Sequence, residues 1–157
     1  MKAPLRVVLV EPEIPPNTGT IARLCAATRC ELHLIEPLGF ELSDRTLKRA
    51  GMDYWQQCVW RAWPSFEALR AEYPEGRFWY LTTKTTRTLW EATFREGDFL
   101  VFGRETKGLP EPLLAANEAH CLTLPIANPQ SRSLNLATAV AATVYEGLRQ
   151  LNSSRIA

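Results

Sequence analysis

Residues 5–28 read LRVVLVEPEIPPNTGTIARLCAAT. Leu5 to Val10 is an apolar, β-branched run that predicts a strand buried on both faces, and the prolines from Pro12 to Pro16 punctuate it as a turn. Helical spacing follows from Thr18 to Thr28, so the first unit is a strand running into a helix. Outward from it the pattern recurs. Leu32 to Ile35 predicts a strand, Ser43 caps a short helix that Gly51 stops, Cys58 to Trp60 predicts a short strand, and Ser65 caps a helix running toward Tyr73. Phe78 to Thr82 and Phe99 to Phe102 predict further strands, the second apolar throughout and therefore central. A short helix over Glu111 to Ala116 precedes a strand over Cys121 to Leu124. The last element, Leu134 to Leu151, puts Leu136, Val140, Val144, Leu148 and Leu151 on one helical face. Strands alternating with helices predict an α/β fold, a largely parallel sheet flanked by helices.

The 157 residues, 46% of them apolar, predict one domain over 1–157, with Asn152 to Ala157 as a frayed tail. Eighteen Lys and Arg against seventeen Asp and Glu leave a formal charge of +1, so an anionic partner must be met by a local patch. No apolar run reaches bilayer length and no leader pattern opens the chain, which predicts a soluble cytoplasmic protein without a membrane partner. Cys25, Cys30, Cys58 and Cys121, with His33 and His120, form no ligand-spaced set, so no metal is expected and the cysteines read as core fillers.

In open parallel sheets, ligands bind at the carboxyl ends of strands, so the loops there carry the search for function. PEIPPNTGTIAR (12–23) offers Asn17, Gly19 and Arg23, although Asn17 reads equally as an N-cap and Arg23 as a solvated helix position. FGRETKGLP (102–110) spaces Gly103 and Gly108 around Glu105 and Lys107. It lacks the Lys-Ser or Lys-Thr of a phosphate-binding loop, and no GxGxxG follows any strand, which excludes nucleotide triphosphate hydrolysis and a glycine-rich dinucleotide site. LPIANPQSRSLNLATAV (124–140) sets Ser131, Arg132, Ser133 and Asn135 at the mouth of the last helix, where Ser133 or Asn135 could cap it or help receive an anion. No GxSxG occurs, which disfavours a serine hydrolase. Arg45, Lys48, Arg49, Lys84, Arg87, Arg104, Lys107 and Arg132 gather around these loops, and Tyr54 and Trp55 add stacking surface of the kind that suits unpaired RNA.

In order and register, VEPEIPPNTGTIARLCAAT, VFGRETKGLP and LPIANPQSRSLNLATAVAATVYE resemble the three motifs of the SPOUT, or α/β-knot, RNA methyltransferases. LHLIEPLGF and LKRAGMDYW are similar to stretches of the small TrmL-type branch, which methylates the ribose 2′-oxygen of cytidine or uridine 34 in tRNA. The absence of an added RNA-binding domain fits that branch. The resemblance implies a SPOUT fold with a deep trefoil knot in its C-terminal part, S-adenosylmethionine as cofactor, the tRNA anticodon loop as partner, leucine isoacceptors as substrates, and an obligate homodimer. The dimer would pack through the first and last helices with Tyr145 at the interface, each RNA site shared between protomers. Leu81, Gly103, Leu124 and Ser133 would line the cofactor, with Thr82, Gly108, Ile126 and Leu134 as neighbours.

Arg23 matches the arginine at the family's reacting centre. An arginine resists deprotonation, so it suits stabilisation of a developing alkoxide better than service as a base. Asn17, Glu105, Ser133 and Asn135 complete the catalytic set as orienting groups, with Glu105 the reserve candidate for proton acceptor. Two positions depart from the pattern: Arg104 stands where the family usually has proline, and Ile126 where it has methionine. The alternatives are 2′-O-methylation of another tRNA or rRNA site, and an RNA-binding member of the fold without catalysis.

Overall fold

The computed structural model describes residues 2–41 and 55–152. Its strands are β1 (Leu5–Val10), β2 (Glu31–Ile35), β3 (Trp60–Trp63), β4 (Phe78–Leu81), β5 (Asp98–Phe102) and β6 (Cys121–Leu122). They form one six-stranded sheet in the order β3-β2-β1-β5-β4-β6, with every neighbouring pair parallel. Among the described residues four helices, α1 (Pro15–Thr28), α2 (Phe66–Glu72), α3 (Glu111–Ala116) and α4 (Leu136–Asn152), cover the two faces. The expected α/β architecture is present, and β5 lies at the centre beside β1.

Side-chain alternation divides the core between the faces. Leu5, Val7 and Leu9 of β1 and Leu100 and Phe102 of β5 pack under α1 and α4 with Ile21, Val140, Val144 and Leu148. Val8, Val10, Phe99 and Val101 point the other way, against Phe66 and Leu69 of α2 and Leu114 of α3. Both faces are covered, which is why these strands read as unbroken apolar runs. Ser65 caps α2 as expected, accepting a hydrogen bond from the Ala68 N–H. All four cysteines are buried free thiols. The hydrogen bond that the Cys25 thiol donates to Cys58, and then burial, push the Cys25 pKa up.

Several boundaries move. Helix α1 starts at Pro15, not Thr18, because proline at the first helical positions needs no N–H partner and already has helical φ. Asn17 therefore lies inside the first turn and is not the N-cap; Ile14 holds that position without a side-chain cap. Strand β3 begins at Trp60, since Trp55–Gln57 form a 3₁₀ turn that Cys58 closes by donating to the Trp55 carbonyl. Trp55 is buried, its ring 4.3 Å from that of Trp60, so it is a core aromatic and not an RNA-stacking surface. Strand β6 stops at Leu122, because Thr123 pairs instead with Arg87 and Leu89 of the connection after β4. Helix α4 starts at Leu136, two residues later than Leu134, and runs through Asn152. The helix expected from Ser43 to Gly51, the cations Arg45, Lys48 and Arg49, and Tyr54 lie outside the described residues.

Candidate functional site

From β1 the chain winds outward to β2 and β3, then returns to build β4, β5 and β6 on the other side, so the sheet reverses direction between β1 and β5. Such a switch point opens a crevice at the carboxyl ends of the strands. Here a cavity of about 690 Å³ lies beyond the ends of β4, β5 and β6, walled by loop 102–109 and roofed by loop 123–135 and the start of α4. All eight positions named for the cofactor (Leu81, Thr82, Gly103, Gly108, Leu124, Ile126, Ser133 and Leu134) line it, as do Asn17, Glu105 and Asn135. Arg23 is exposed on α1 and does not line it.

Loop 102–109 is folded tightly back on itself. The Arg104 N–H donates to the Gly108 carbonyl at 3.3 Å and the Gly108 N–H to the Arg104 carbonyl at 2.9 Å. Gly108 adopts φ +67°, open to glycine at little cost. A side chain on Gly103 would put its Cβ 2.1 Å from the Gly108 carbonyl carbon. Glycine is required there because backbone lies against backbone.

Two carboxylates cross between this loop and the segment after β1. Glu105 Oε1 accepts from the Glu13 N–H and Oε2 from the Ile14 N–H, both at 2.8 Å, while Asn17 Nδ2 donates to Oε2 at 3.2 Å. These bonds occupy orphan donors at the start of α1, supplying from 91 residues away the cap that Ile14 lacks. In return, Glu13 Oε1 accepts from the Thr106 hydroxyl at 2.8 Å and its N–H at 3.1 Å. The Thr106 hydroxyl, and then its N–H, hold the Glu13 carboxyl below its ordinary pKa, with smaller help from the charges of Arg104 and Lys107. Glu13 and Thr106 were not picked out from the sequence. Nothing local marks them, since each finds its partner 93 residues along the chain.

The third loop joins through Asn135, whose Nδ2 donates to Asn17 Oδ1 at 3.1 Å. Its Oδ1 accepts from the Thr138 N–H at 3.2 Å, so Asn135 is also the cap of α4. Ser133 is exposed at the cavity wall and makes no cap. Four cations line the opening, Lys84, Arg104, Lys107 and Arg132, against the single carboxylate of Glu105. Lys84 is paired with Glu111. Arg87 is spent on structure, donating to the carbonyls of Glu118 and Ala119. Among the described residues, no group of His, Cys, Asp and Glu could hold a metal ion, and no helix is long and apolar enough to cross a membrane.

Comparison with known proteins agrees with this geometry. A tRNA (cytidine(34)-2′-O)-methyltransferase from Saccharophagus degradans is 52% identical over 149 residues, covering 92% of this chain and 94% of its own length. A structure solved for the 2-OH methylation of C/U34 on tRNA superposes with a TM-score of 0.87 at 48% identity, covering 93% of this chain and 95% of that one. The SpoU methyltransferase AviRb from Streptomyces viridochromogenes, in complex with the cofactor AdoMet, shares the fold at a TM-score of 0.77 and 23% identity, covering 96% of this chain and 58% of that one. The family model of the SpoU rRNA methylases matches residues 4–145, from the start of β1 into the last helix, and with all three loops meeting at one cavity the chain belongs to the SpoU rRNA methylase family.

Proposed function

We propose that the chain transfers a methyl group from S-adenosylmethionine to the ribose 2′-oxygen of the wobble nucleotide, cytidine or uridine 34, of tRNA, with leucine isoacceptors as its substrates. The observation that carries this reading is the junction of the three loops at one cavity, in a chain 52% identical to a relative named for that reaction.

The cavity suits the cofactor. Its volume of about 690 Å³ falls within the ~300–1,000 Å³ common for small-molecule sites. Leu81, Leu124, Ile126 and Leu134 supply apolar walls for a purine, and the close turn at Gly103 lets backbone groups approach its edge. When bound, S-adenosylmethionine supplies a methyl group activated by its sulfonium. The protein's task is then to present the hydroxyl in line and stabilise the charge that develops on its oxygen.

Arg23 serves the second purpose through its guanidinium. Its exposure on α1, outside the cavity wall, is reconciled by a homodimer in which each protomer offers Arg23 to its partner's cavity. Support for such a dimer is that Thr20, Arg23 and Ala27 of α1 and Thr138, Ala142 and Tyr145 of α4 are exposed on two helices that pack against each other. Glu105 has both carboxylate oxygens engaged by the backbone of residues 13 and 14 and by Asn17, so its role is positioning rather than proton transfer. Ser133 and Asn135 orient the entry to the cavity at the start of α4.

The trefoil knot belongs to the same reading. Its support is that the chain leaves β6 at the sheet edge and returns to lay α4 against β1 and β5 at the centre. So do a single domain over residues 1–157 and a cytoplasmic location. The test is transfer of labelled methyl to bulk tRNA from a strain lacking wobble 2′-O-methylation, followed by nuclease mapping. Label at nucleotide 34 supports the assignment. Label elsewhere keeps the methyltransferase and discards the wobble site, and cofactor binding without transfer favours a non-catalytic RNA-binding role or a ribosomal substrate.

A further inference from the structure

The mouth of the cavity carries more positive charge than the cavity's own groups neutralise, in a protein whose overall charge is only +1. Lys84 has Glu111 and Glu105 is engaged by the backbone of residues 13 and 14 and by Asn17. Arg104, Lys107 and Arg132 form no side-chain hydrogen bond or ion pair among the described residues. Arg104, Lys107 and Arg132 then stand against the two carboxylates of Glu105 and Glu13, the latter drawn below its ordinary pKa by Thr106 first and in part by Arg104 and Lys107, so the rim keeps a net positive charge and suits a site that an anion completes.

Loop geometry singles out Arg104. Its backbone is clamped in both directions to Gly108, so the side chain starts from a fixed point on the cavity rim. A proline there would delete the N–H that the Gly108 carbonyl accepts and the charge together. The loop itself is anchored from the far side, where Glu13 holds the backbone and hydroxyl of Thr106. Arg104 is half-buried, while Lys107 and Arg132 are exposed. A planar guanidinium held at its base, on a cavity that also exposes Lys107 and Arg132, matches the paired oxygens of a phosphodiester.

We propose that Arg104, with Lys107 and Arg132 beside it, is a phosphate clamp that seats the backbone phosphate adjoining the methylated ribose. This rests on the reading of the chain as an RNA methyltransferase and adds the residue that sets the substrate's register at the cavity mouth. The cofactor's carboxylate is the competing anion. It is the weaker fit, since its own ammonium group already balances it, whereas RNA brings one uncompensated charge per nucleotide.

The experiment compares the unsubstituted protein with Arg104→Gln, which keeps the loop N–H and removes the charge, and Arg104→Lys, which keeps the charge and loses the fork. Binding of unmodified tRNA is measured across a salt series, and binding of S-adenosylhomocysteine by calorimetry. Arg104→Gln is expected to weaken tRNA binding about tenfold and to flatten the dependence of log K on log salt by about 0.7–0.9, the increment for one phosphate contact. Arg104→Lys should keep the slope and lose part of the affinity, and S-adenosylhomocysteine binding should stay within about twofold in both. An unchanged tRNA slope overturns the clamp. Weakened S-adenosylhomocysteine binding with tRNA binding intact also overturns it, moving Arg104 to the cofactor. Position-34 methylation by the unsubstituted protein, mapped in parallel, separates the two claims: a lost slope without that methylation keeps the clamp and removes the substrate, and the reverse result removes only the clamp.

Discussion

Asn17 and Asn135, 118 positions apart in the chain, meet side chain to side chain at 3.1 Å, and through Asn17 the bond continues to Glu105. One polar chain thus ties the start of α1, the loop after β5 and the cap of α4 into a single wall of the cavity. A wall assembled from three distant segments can respond as a unit when any one of them is displaced.

Asn17→Ala and Asn135→Ala, combined in a double-mutant cycle, test that unit. Asn135→Ala removes the cap of α4 as well and should cost about 1 kcal/mol by itself. The coupling between the two is expected near 0.5 kcal/mol, because the pair is solvent-exposed. Urea unfolding of the four proteins measures it, and strictly additive effects would mean that the bond does not hold in solution.

Glu105→Gln replaces one accepting oxygen with an NH₂ group that confronts the N–H of residue 13 or 14. The partly exposed setting limits the expected loss to about 1 kcal/mol. Thermal unfolding should show a lower Tm, and S-adenosylhomocysteine should bind several-fold more weakly because the wall of its cavity shifts. Wild-type values for both would reduce Glu105 to an incidental surface contact.

Arg23→Ala should leave S-adenosylhomocysteine binding within about twofold while transfer falls by about 10²–10³, the range for removing one group that stabilises a developing oxyanion. Mixed dimers of Arg23→Ala and Gly103→Ala chains should recover activity that neither variant has alone, since one of the two shared sites would then be intact. Failure to recover would place Arg23 in its own protomer's site or outside the reaction.

Gly103→Ala should unseat loop 102–109. Its Cβ would fall 2.1 Å from the Gly108 carbonyl carbon and 2.2 Å from the Leu109 nitrogen, both backbone atoms that no rotamer change can move aside. Loss of S-adenosylhomocysteine binding by more than tenfold, read by calorimetry on the folded variant, is the expected result. Retained affinity would show that the loop is not part of the cofactor's seat.

Glu13 offers a pH-dependent readout. Its carboxyl is held below the ordinary 4.5 by hydrogen bonds from the Thr106 hydroxyl and N–H. A lowered folded-state pKa means that the clasp contributes fully above the ordinary value and is lost as pH falls through the lowered one. The Thr106 amide resonance should therefore titrate with a midpoint below 4.5, and Thr106→Val should move the Glu13 midpoint back toward 4.5. A midpoint already at 4.5 in the unsubstituted protein would mean that the clasp is open.

Much of the fold can be read from the chain because its signals are local. The apolar run from Leu5 to Val10 appears as β1 with those limits, and α3 as Glu111–Ala116, each set by side-chain periodicity and flanking proline within a few residues. Boundaries slipped where a tertiary partner decided them. Thr123 pairs with residues 87 and 89 after β4 instead of extending β6, and α1 opens at Pro15 and Pro16 with Glu105 accepting from the two N–H groups just before it.

The candidate site divides along the same line. Glycine spacing and polar composition mark the three loops with Gly103, Ser133 and Asn135 in them, while the cofactor-lining positions come from the family resemblance. That Glu105 caps a helix 91 residues upstream, that Glu13 answers it through Thr106, and that Arg104 stands on the cavity rim depend on how the strands are ordered. Propensity and periodicity act between neighbours in the chain. The order β3-β2-β1-β5-β4-β6, which sets the carboxyl ends of β1 and β5 side by side, arises only when the apolar faces of all the strands are buried together.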